Sequence, residues 1–508
     1  MIFLNNVWDR AVVVQIKGSL MSLAMNYKMM GKFVGHIALV EGVFMIPALF
    51  IGMYNHETKS IIAFLITMAI IGIVSAFLLA VCRNSKKMFY AKEGLTCVGL
   101  SWMVLGVLGA LPFVISGSIP NFIDAVFESV SGFTTTGASI LTDVEVLPRS
   151  ILYWRSFTHW LGGMGVLVFV LAIAVGSEGK SGFTMHLLRA ESPGPKVGKL
   201  VPRMKRTAEI LYLLYIILTV LDFIFLMIGN MPVFDAVCTA LGTAGTGGFG
   251  VRNDSIAGYS PYIQNVCTVF MLLFGVNFSC YYLLLLGQVK NVFKDEELRI
   301  YLGLVFGSIA LIVWNLRGFY DTLGETIRYA AFQVATVMST TGFATADFDQ
   351  WPAFSKAILM CLMFVGASAG STAGGFKVGR LMLLMKNLRR KVRKSVNPNR
   401  VEIVRNNGDM IDEDTLANCN SYLVAYVLIL VFSFLLLSLN GFSQTTTFSA
   451  VVSCFNNIGP GFEGVGPTCN FASFSWFSKV VLIFDMLAGR LEIFPILILF
   501  SKSTWRRR

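Results

Sequence analysis

The sequence predicts an all-α polytopic membrane protein, in which a two-helix preface is followed by four repeats of helix, half-helix, loop and helix around a pseudo-fourfold pore. Three observations predict it. Hydrophobic residues make up 55% of the chain and charged residues only 14%, a composition that belongs to bilayer proteins rather than to a string of soluble domains. Apolar segments long enough to span a bilayer recur throughout. A short Thr/Gly stretch occurs four times, each time after a helix-compatible run and between two long apolar segments.

About ten such segments are readable: Phe33 to Met53, Ile61 to Cys82, Thr96 to Ser116, Ile151 to Val175, Ala208 to Ile228, Tyr262 to Leu286, Ile300 to Asn315, Ala353 to Met382, Cys419 to Leu439 and Lys479 to Phe500. The corresponding division is an N-terminal segment (1–32), a two-helix preface (33–94), and four pore repeats at 95–205, 206–298, 299–406 and 407–508. Residues 1–32 lack the ordered charged, apolar and small-residue regions of a signal peptide. The preface is a hairpin closed by Asn55 to Ser60, with no Thr/Gly loop.

The net charge of +12 raises the question of nucleic acid, and its distribution answers it. Basic residues gather in alternate loops, at Arg83 to Lys92, Lys196 to Arg206, Lys386 to Arg405 and Arg506 to Arg508. The intervening loops hold Asp124, Glu128, Asp143, Asp235, Asp254, Asp347 and Glu463. This is the positive-inside pattern, which places the Thr/Gly loops outside and both termini in the cytoplasm. Topology accounts for the charge, and no nucleic-acid partner is expected. Nine cysteines lie mostly in apolar segments without CxxC pairing, so neither a metal site nor a disulfide framework is indicated. His36, His56, His159 and His186 are too scattered for a catalytic cluster, and no enzyme is expected.

The four half-helix runs are Asp124 to Phe133, Asp235 to Ala244, Tyr329 to Met338 and Thr446 to Phe455. They lead into Thr134-Thr135-Thr136-Gly137, Gly245-Thr246-Gly247-Gly248, Ser339-Thr340-Thr341-Gly342 and Asn456-Asn457-Ile458-Gly459. Pro120 and Asp124 suit the start of the first half-helix, and Met231 to Val237 echoes Ile119 to Val126, which aligns Gly137 with Gly248 and then Gly342. The fourth loop fits only with a gap, and Gly459 is preferred there to Gly461. Glycine permits backbone conformations closed to other residues, so successive carbonyls can point one way while threonine adds hydroxyl oxygens. A ring of such oxygens replaces the water shell of a dehydrated cation, and the C-terminal ends of the half-helices aim partial negative charge at it. The residues expected to bind the ion are Thr135, Thr136, Gly137, Thr246, Gly247, Gly248, Thr340, Thr341, Gly342, Asn457, Ile458 and Gly459.

Two further stretches carry information. The eighth span is broken by Gly366-Ala367-Ser368-Ala369-Gly370-Ser371-Thr372-Ala373-Gly374-Gly375, followed by Lys377. Such density of glycine and serine disfavours helix, and irregular backbone at membrane depth is tolerated only where protein or water surrounds it. Gly366, Gly370, Gly374, Gly375 and Lys377 are therefore read as an intramembrane gate, against the alternative of a small-residue helix-packing seam. It is not a phosphate-binding loop, because Phe376 interrupts the Gly-Lys pair and no strand precedes it. In the last span Arg490, beside Asp485 and Glu492, is either a positive barrier facing the pore or the partner of one of those carboxylates.

Taken together, these loops, the broken span before Lys377 and Gly489-Arg490-Leu491-Glu492 resemble the Trk/Ktr/HKT superfamily of potassium transporters, closest to its bacterial TrkH/TrkG membrane subunits. The likeness extends from about Met25 to Arg508. It implies potassium uptake across the bacterial inner membrane, with potassium as the transported ion and no organic cofactor on this chain. It further implies a homodimer with one pathway per protomer, and control by a cytoplasmic TrkA-type ring that binds nucleotides. By the same likeness 366–375 is the gate and Arg490 the arginine beneath the filter. In plant relatives a serine at the first filter glycine accompanies sodium permeation, so Gly137 favours potassium. None of the four loops carries the signature of tetrameric potassium channels, so fewer well-formed ion sites are expected. The alternative function is a cation-coupled secondary symporter with a midplane solute site.

Overall fold

Helices carry almost all regular structure among the described residues, which in this computed structural model are 25–83, 91–163, 165 and 204–505. Residues 1–24, Lys86, Lys87, His186, Lys196, Lys199, Arg203, Arg506 to Arg508 and the end of the fourth expected span lie outside that range. The preface comprises α1 (Tyr27–Phe44), α2 (Ile46–Tyr54) and α3 (Thr58–Val81). The first repeat has α4 (Ala91–Ile115), the half-helix α5 (Phe122–Phe133) and α6 (Arg149–Gly163). The second has α7 (Met204–Ile228), the half-helix α8 (Val233–Gly245), α9 (Pro261–Phe274), α10 (Phe278–Leu285) and α11 (Val289–Lys294). The third has α12 (Glu296–Asn315), the half-helix α13 (Leu323–Met338), α14 (Ala353–Val365) and α15 (Val378–Val396). A small antiparallel hairpin, β1 (Arg405–Asn406) with β2 (Asp409–Met410), leads to the fourth, with α16 (Glu413–Leu437), the half-helix α17 (Gln444–Phe455), α18 (Trp476–Arg490), α19 (Phe494–Phe500) and α20 (Lys502–Trp505).

Six of these stretches are long and apolar enough to cross a membrane, or seven with the bent pair α9 and α10. Their polarity is inverted relative to a soluble protein. On α3, Ile62, Leu65, Ile73 and Phe77 face outward while Ser60, Ala63, Thr67 and Ser75 are buried, because small and hydroxylated residues allow close helix approach and lipid accepts only apolar surface. Thr67 donates to Ala63 O at 2.8 Å, so its hydroxyl is satisfied within its own helix. The half-helices lie at the centre: from Phe127 to Phe133 on α5 and from Cys238 to Gly245 on α8 every residue is buried.

Half-helix starts follow ordinary capping chemistry. Asn121 accepts from Ile123 N at 2.9 Å, Thr322 from Glu325 N at 3.2 Å and Ser443 from Thr446 N at 3.1 Å, each side-chain oxygen meeting an orphan amide of the first turn. The cap of α5 is thus Asn121, one residue after Pro120, and α13 begins at Leu323, before the expected Tyr329, because Thr322 nucleates it.

Of the expected continuous spans, 33–53 is interrupted at Met45 between α1 and α2 while remaining one crossing stretch, and two others are broken outright. The stretch 262–286 bends by 90° between α9 and α10. Gly275-Val276-Asn277 makes the break, and Asn277 Oδ1 caps the new helix through Ser279 N at 2.9 Å. Carbonyls freed there are taken up by tyrosines, Tyr281 OH donating to Leu273 O at 2.6 Å and Tyr301 OH to Leu272 O at 3.1 Å. The stretch 479–500 breaks after Arg490. Pro495 cannot continue the helical ladder, and Glu492 and Ile493 take φ values of 61° and 65°. The interruption within 353–382 is present as read, between Val365 and Val378.

Candidate functional site

All four half-helices end in the same backbone motif. Thr135 N donates to Gly132 O (3.0 Å) and Thr136 N to Ser131 O (2.9 Å). The counterparts are Thr246 N to Thr243 O (3.0 Å) with Gly247 N to Gly242 O (2.9 Å), Thr340 N to Val337 O (3.1 Å) with Thr341 N to Thr336 O (2.8 Å), and Asn457 N to Cys454 O (3.3 Å) with Ile458 N to Ser453 O (2.9 Å). This is the Schellman pairing, which needs a left-handed residue just past the helix. That residue is ordinarily glycine. Here it is Thr135, Thr246, Thr340 or Asn457, at φ of 54–56°, a conformation costing a residue with a Cβ about 1–2 kcal/mol.

Two residues later the glycine of each loop again has positive φ: 76° at Gly137, 77° at Gly248, 91° at Gly342 and 99° at Gly459. A Cβ on Gly137 would strike Gly247 O, one on Gly248 would strike Thr341 O, one on Gly342 would strike Ile458 O, and one on Gly459 would stand 2.7 Å from Thr136 O. The succession runs first loop to second, second to third, third to fourth and fourth to first. Four backbone carbonyls, each from the residue before the loop glycine, thus form a closed cycle. Gly459, not Gly461, completes it.

The strands leaving the loops are clasped in the same order. Asn253 Nδ2 donates to Asp143 Oδ1 at 2.8 Å, Ile256 N to Ala344 O at 3.1 Å, Glu463 N to Asp349 Oδ2 at 2.7 Å and Phe471 N to Ser139 O at 2.8 Å. The hydrogen bond from Asn253 holds the Asp143 carboxyl below its ordinary range. At the third clasp, burial raises the Asp349 carboxyl, against the bond from the Glu463 amide. Beside the first two loops, the buried Arg155 Nε meets Glu128 Oε1 at 2.6 Å, its NH1 donates to Gly250 O at 3.2 Å, and its guanidinium lies 3.8 Å from the Phe249 ring centre.

Against the third and fourth loops lies the irregular segment 366–377. Gly366, Gly370 and Gly375 have φ of 70°, 70° and 79°, and Lys377 shares the left-handed half of the map at 79°. The segment is seated in the break of the second repeat: Ser368 N donates to Gly275 O (3.1 Å), Phe278 N to Gly370 O (3.0 Å) and Thr372 Oγ1 to Phe274 O (3.2 Å). Gly374 N donates to Thr340 Oγ1 at 2.7 Å. A Cβ on Gly374 would stand 2.6 Å from Asn456 O. Arg490 donates to Thr372 O at 2.8 Å, to Gly163 O at 2.7 Å and to Gly162 O. It therefore caps the C-terminus of α6, where carbonyls lack helical partners, and ties that helix end to the segment.

A family model described as TrkH, cation transport protein, matches residues 60–316 and 320–506. The chain belongs to the TrkH family. Relatives of this TrkH-family chain include the Trk system potassium uptake protein TrkH of Salmonella typhimurium, 36% identical over 95% of this chain and 100% of the relative. Another is the Trk system potassium uptake protein TrkG of Escherichia coli, 31% identical over 93% and 97%. The crystal structure of the potassium transporter TrkH from Vibrio parahaemolyticus superposes with a TM-score of 0.85, at 30% identity, covering 95% of this chain and 100% of that one.

The TrkH-family fold brings all twelve residues of the four loops together and sets the 366–377 segment against them. It also shows contacts that the sequence does not. Arg490 bonds carbonyls, whereas Glu492 pairs with Arg380 and Asp485 accepts from Ser433 at 2.6 Å. Lys377 donates to Ala373 O, within its own segment. His159 does more than a lone histidine suggests. Nδ1 lies 2.8 Å from Gly132 O and Nε2 accepts from Phe249 N at 3.3 Å, so the ring is the neutral Nδ1–H tautomer. It fills the space that a side chain at Gly247 would need. The departure of the second loop from Thr-Thr-Gly, with glycine at 245 and 247, was the signal for such a substitute. Glu41 and Asp222, buried within spans, also escaped notice, since each is one carboxylate in a long apolar run.

Proposed function

We propose that this chain carries potassium inward across the bacterial inner membrane, both termini cytoplasmic, through a selectivity filter. The filter is made by Thr135, Thr136 and Gly137, by Thr246, Gly247 and Gly248, by Thr340, Thr341 and Gly342, and by Asn457, Ile458 and Gly459. The closed cycle of glycines and carbonyls supports the reading best, because four inward loops in register are what a dehydrated cation requires and a general solute pocket does not. The names of the relatives add the ion. Gly366, Gly370, Gly374 and Gly375, with Lys377 and Arg490 beside them, serve as the gate, occluding the path directly below the filter. A homodimer and a nucleotide-binding TrkA-type ring complete the assembly, and the basic α15 region is a docking surface for the ring.

A coupled symporter has one observation in its favour. Glu41, Asp222 and Asp485 are buried carboxylates within spans, and such groups commonly mark ion or proton paths. One experiment separates the readings. The chain is expressed in a bacterium stripped of its own potassium uptake and tested for growth at low external potassium, and the purified chain is tested in liposomes with a potassium gradient alone. Growth, and potassium flux without any proton or sodium gradient, are expected. Flux that appears only with a second gradient would transfer the case to the symporter, and no potassium flux under either condition would sink both.

A further inference from the structure

The segment under the filter touches the third loop through one polar contact of defined chemistry, Gly374 N–H donating to Thr340 Oγ1 at 2.7 Å. Thr340 is fully buried, at the left-handed position of its Schellman motif. Its counterparts are used otherwise. Thr135 Oγ1 is buried without a hydrogen-bond partner among the described residues, and Thr246 Oγ1 donates to Gly245 O at 2.7 Å. The third loop is therefore the one whose hydroxyl receives a bond from the segment below.

The geometry of the segment divides it into two parts. Its first half is fixed to the second repeat, through Ser368 N to Gly275 O and Phe278 N to Gly370 O. Its second half is held from above and below, by Thr340 at Gly374 and by Arg490 at Thr372 O, 2.8 Å away. Gly374 also approaches the fourth loop, an added Cβ standing 2.6 Å from Asn456 O and 2.8 Å from Asn457 Cβ. Residues 372–375 can leave this position without disturbing the anchors at 368 and 370, but not without breaking the bond to Thr340, along with those of Thr372 to Phe274 O and Arg490.

We propose that Thr340 is a latch residue, holding the gate segment closed by accepting the Gly374 amide. It is a positioning residue for the gate in addition to a member of the third loop. This rests on the reading of 366–375 as the gate of a cation pathway. In the closed state the Gly374 N–H is buried and needs its acceptor, whereas an open segment finds other partners. Removing the acceptor therefore destabilises the closed state alone, and a buried amide left unpaired shifts a two-state balance by about 5- to 30-fold.

The test uses the full chain in liposomes, without any partner protein, with potassium and sodium flux measured separately for wild type, Thr340→Val and Thr340→Ser. Valine keeps the shape and removes the acceptor, while serine keeps the acceptor. Resting potassium flux is expected to rise about 5- to 30-fold in Thr340→Val and to fall back in Thr340→Ser. Flux in Thr340→Val at or below wild type overturns the latch. So does a rise in sodium flux alone, which marks damage to the filter without an opened gate, or a rise shared by Thr340→Ser, which keeps the acceptor. A wild-type chain that passes no potassium in liposomes or in cells overturns the functional reading itself.

Discussion

Alanine at Gly459 tests the cycle at its roomiest joint. Two costs act together. The residue sits at φ 99°, where a Cβ costs about 1–2 kcal/mol, and the new Cβ would stand 2.7 Å from Thr136 O. Relieving that contact to about 3.0 Å moves the carbonyl or the loop by about 0.3 Å, in a ring where oxygen positions define the site. If the loop escapes the strain by leaving this conformation, the ring-competent population falls about 5- to 30-fold. The assay is the ratio of potassium to sodium flux in liposomes, with thermal stability measured in parallel. Gly459→Ala is expected to lower the ratio by about that factor, and alanine at Gly137, Gly248 or Gly342 by more, since each has less room. Gly307→Ala on α12, where nothing lies within 4 Å, is the control. A folded Gly459→Ala with an unchanged ratio, beside a Gly461→Ala that loses selectivity, would refute both the register of the fourth loop and the cycle built on it.

Other perturbations follow from the same contacts. Glu128→Ala strands the buried Arg155 guanidinium, and breaking such a pair costs about 3–5 kcal/mol; a clear drop in melting temperature is expected, and an unaltered one would deny the pair its role in joining the first two loops. Arg490→Met removes a positive charge from beside the proposed gate segment, and at an effective dielectric near 20 a unit charge within about 10 Å of a passing cation is worth about 1.7 kcal/mol. Potassium flux should rise more than about tenfold, and a fall would argue that capping α6 is the dominant role. Asp349 gives a pH signature. Burial raises its carboxyl above the ordinary value of 3.8, so the folded state binds its proton more tightly than the unfolded one, and the charged form costs stability as pH rises through that raised value. Asp349→Asn should therefore gain melting temperature over wild type with rising pH, from no gain below about pH 3.8 to a plateau at neutral pH; a gain largest in acid would contradict the assignment.

The loops were legible because their chemistry is local. Glycine two residues after a threonine, at the end of a short apolar run, is needed for a Schellman end followed by a second positive φ, and no other residue type tolerates the carbonyl of the next loop. The broken eighth span was legible for the same reason, since Gly366 to Gly375 cannot stay helical. The breaks at Gly275-Val276-Asn277 and Leu491-Glu492-Ile493 were not. Each is a few residues in an otherwise apolar run, and what stabilises it comes from elsewhere: Tyr281 and Tyr301 take the freed carbonyls of the first, and Arg380 holds Glu492 at the second. Likewise no spacing in the sequence brings His159 to Gly247, because that contact joins one repeat to the next.

The four loops are alike in backbone and unlike in what holds them. The joint between the fourth and first loops is made by a side chain, Asn457 Nδ2 donating to Thr136 Oγ1 at 2.9 Å, and Asn457 is itself tied to Met486 O at 3.0 Å. The joint between the first and second is made by His159, which bonds Gly132 O and Phe249 N, with Arg155 reinforcing it. The first and third loops each hold a hydroxyl pair, Thr134 Oγ1 with Thr136 Oγ1 at 2.8 Å and Ser339 Oγ with Thr341 Oγ1 at 2.7 Å, and the third loop's remaining hydroxyl, on Thr340, accepts from Gly374 N. All four loops are thus clasped to their neighbours, and the third alone of the threonine-bearing loops also takes a hydrogen bond from the 366–377 segment among the described residues. A single chain can vary its four loops independently, which an assembly of identical subunits cannot do. Here that freedom couples the third loop, through Thr340, to the irregular backbone of 366–377.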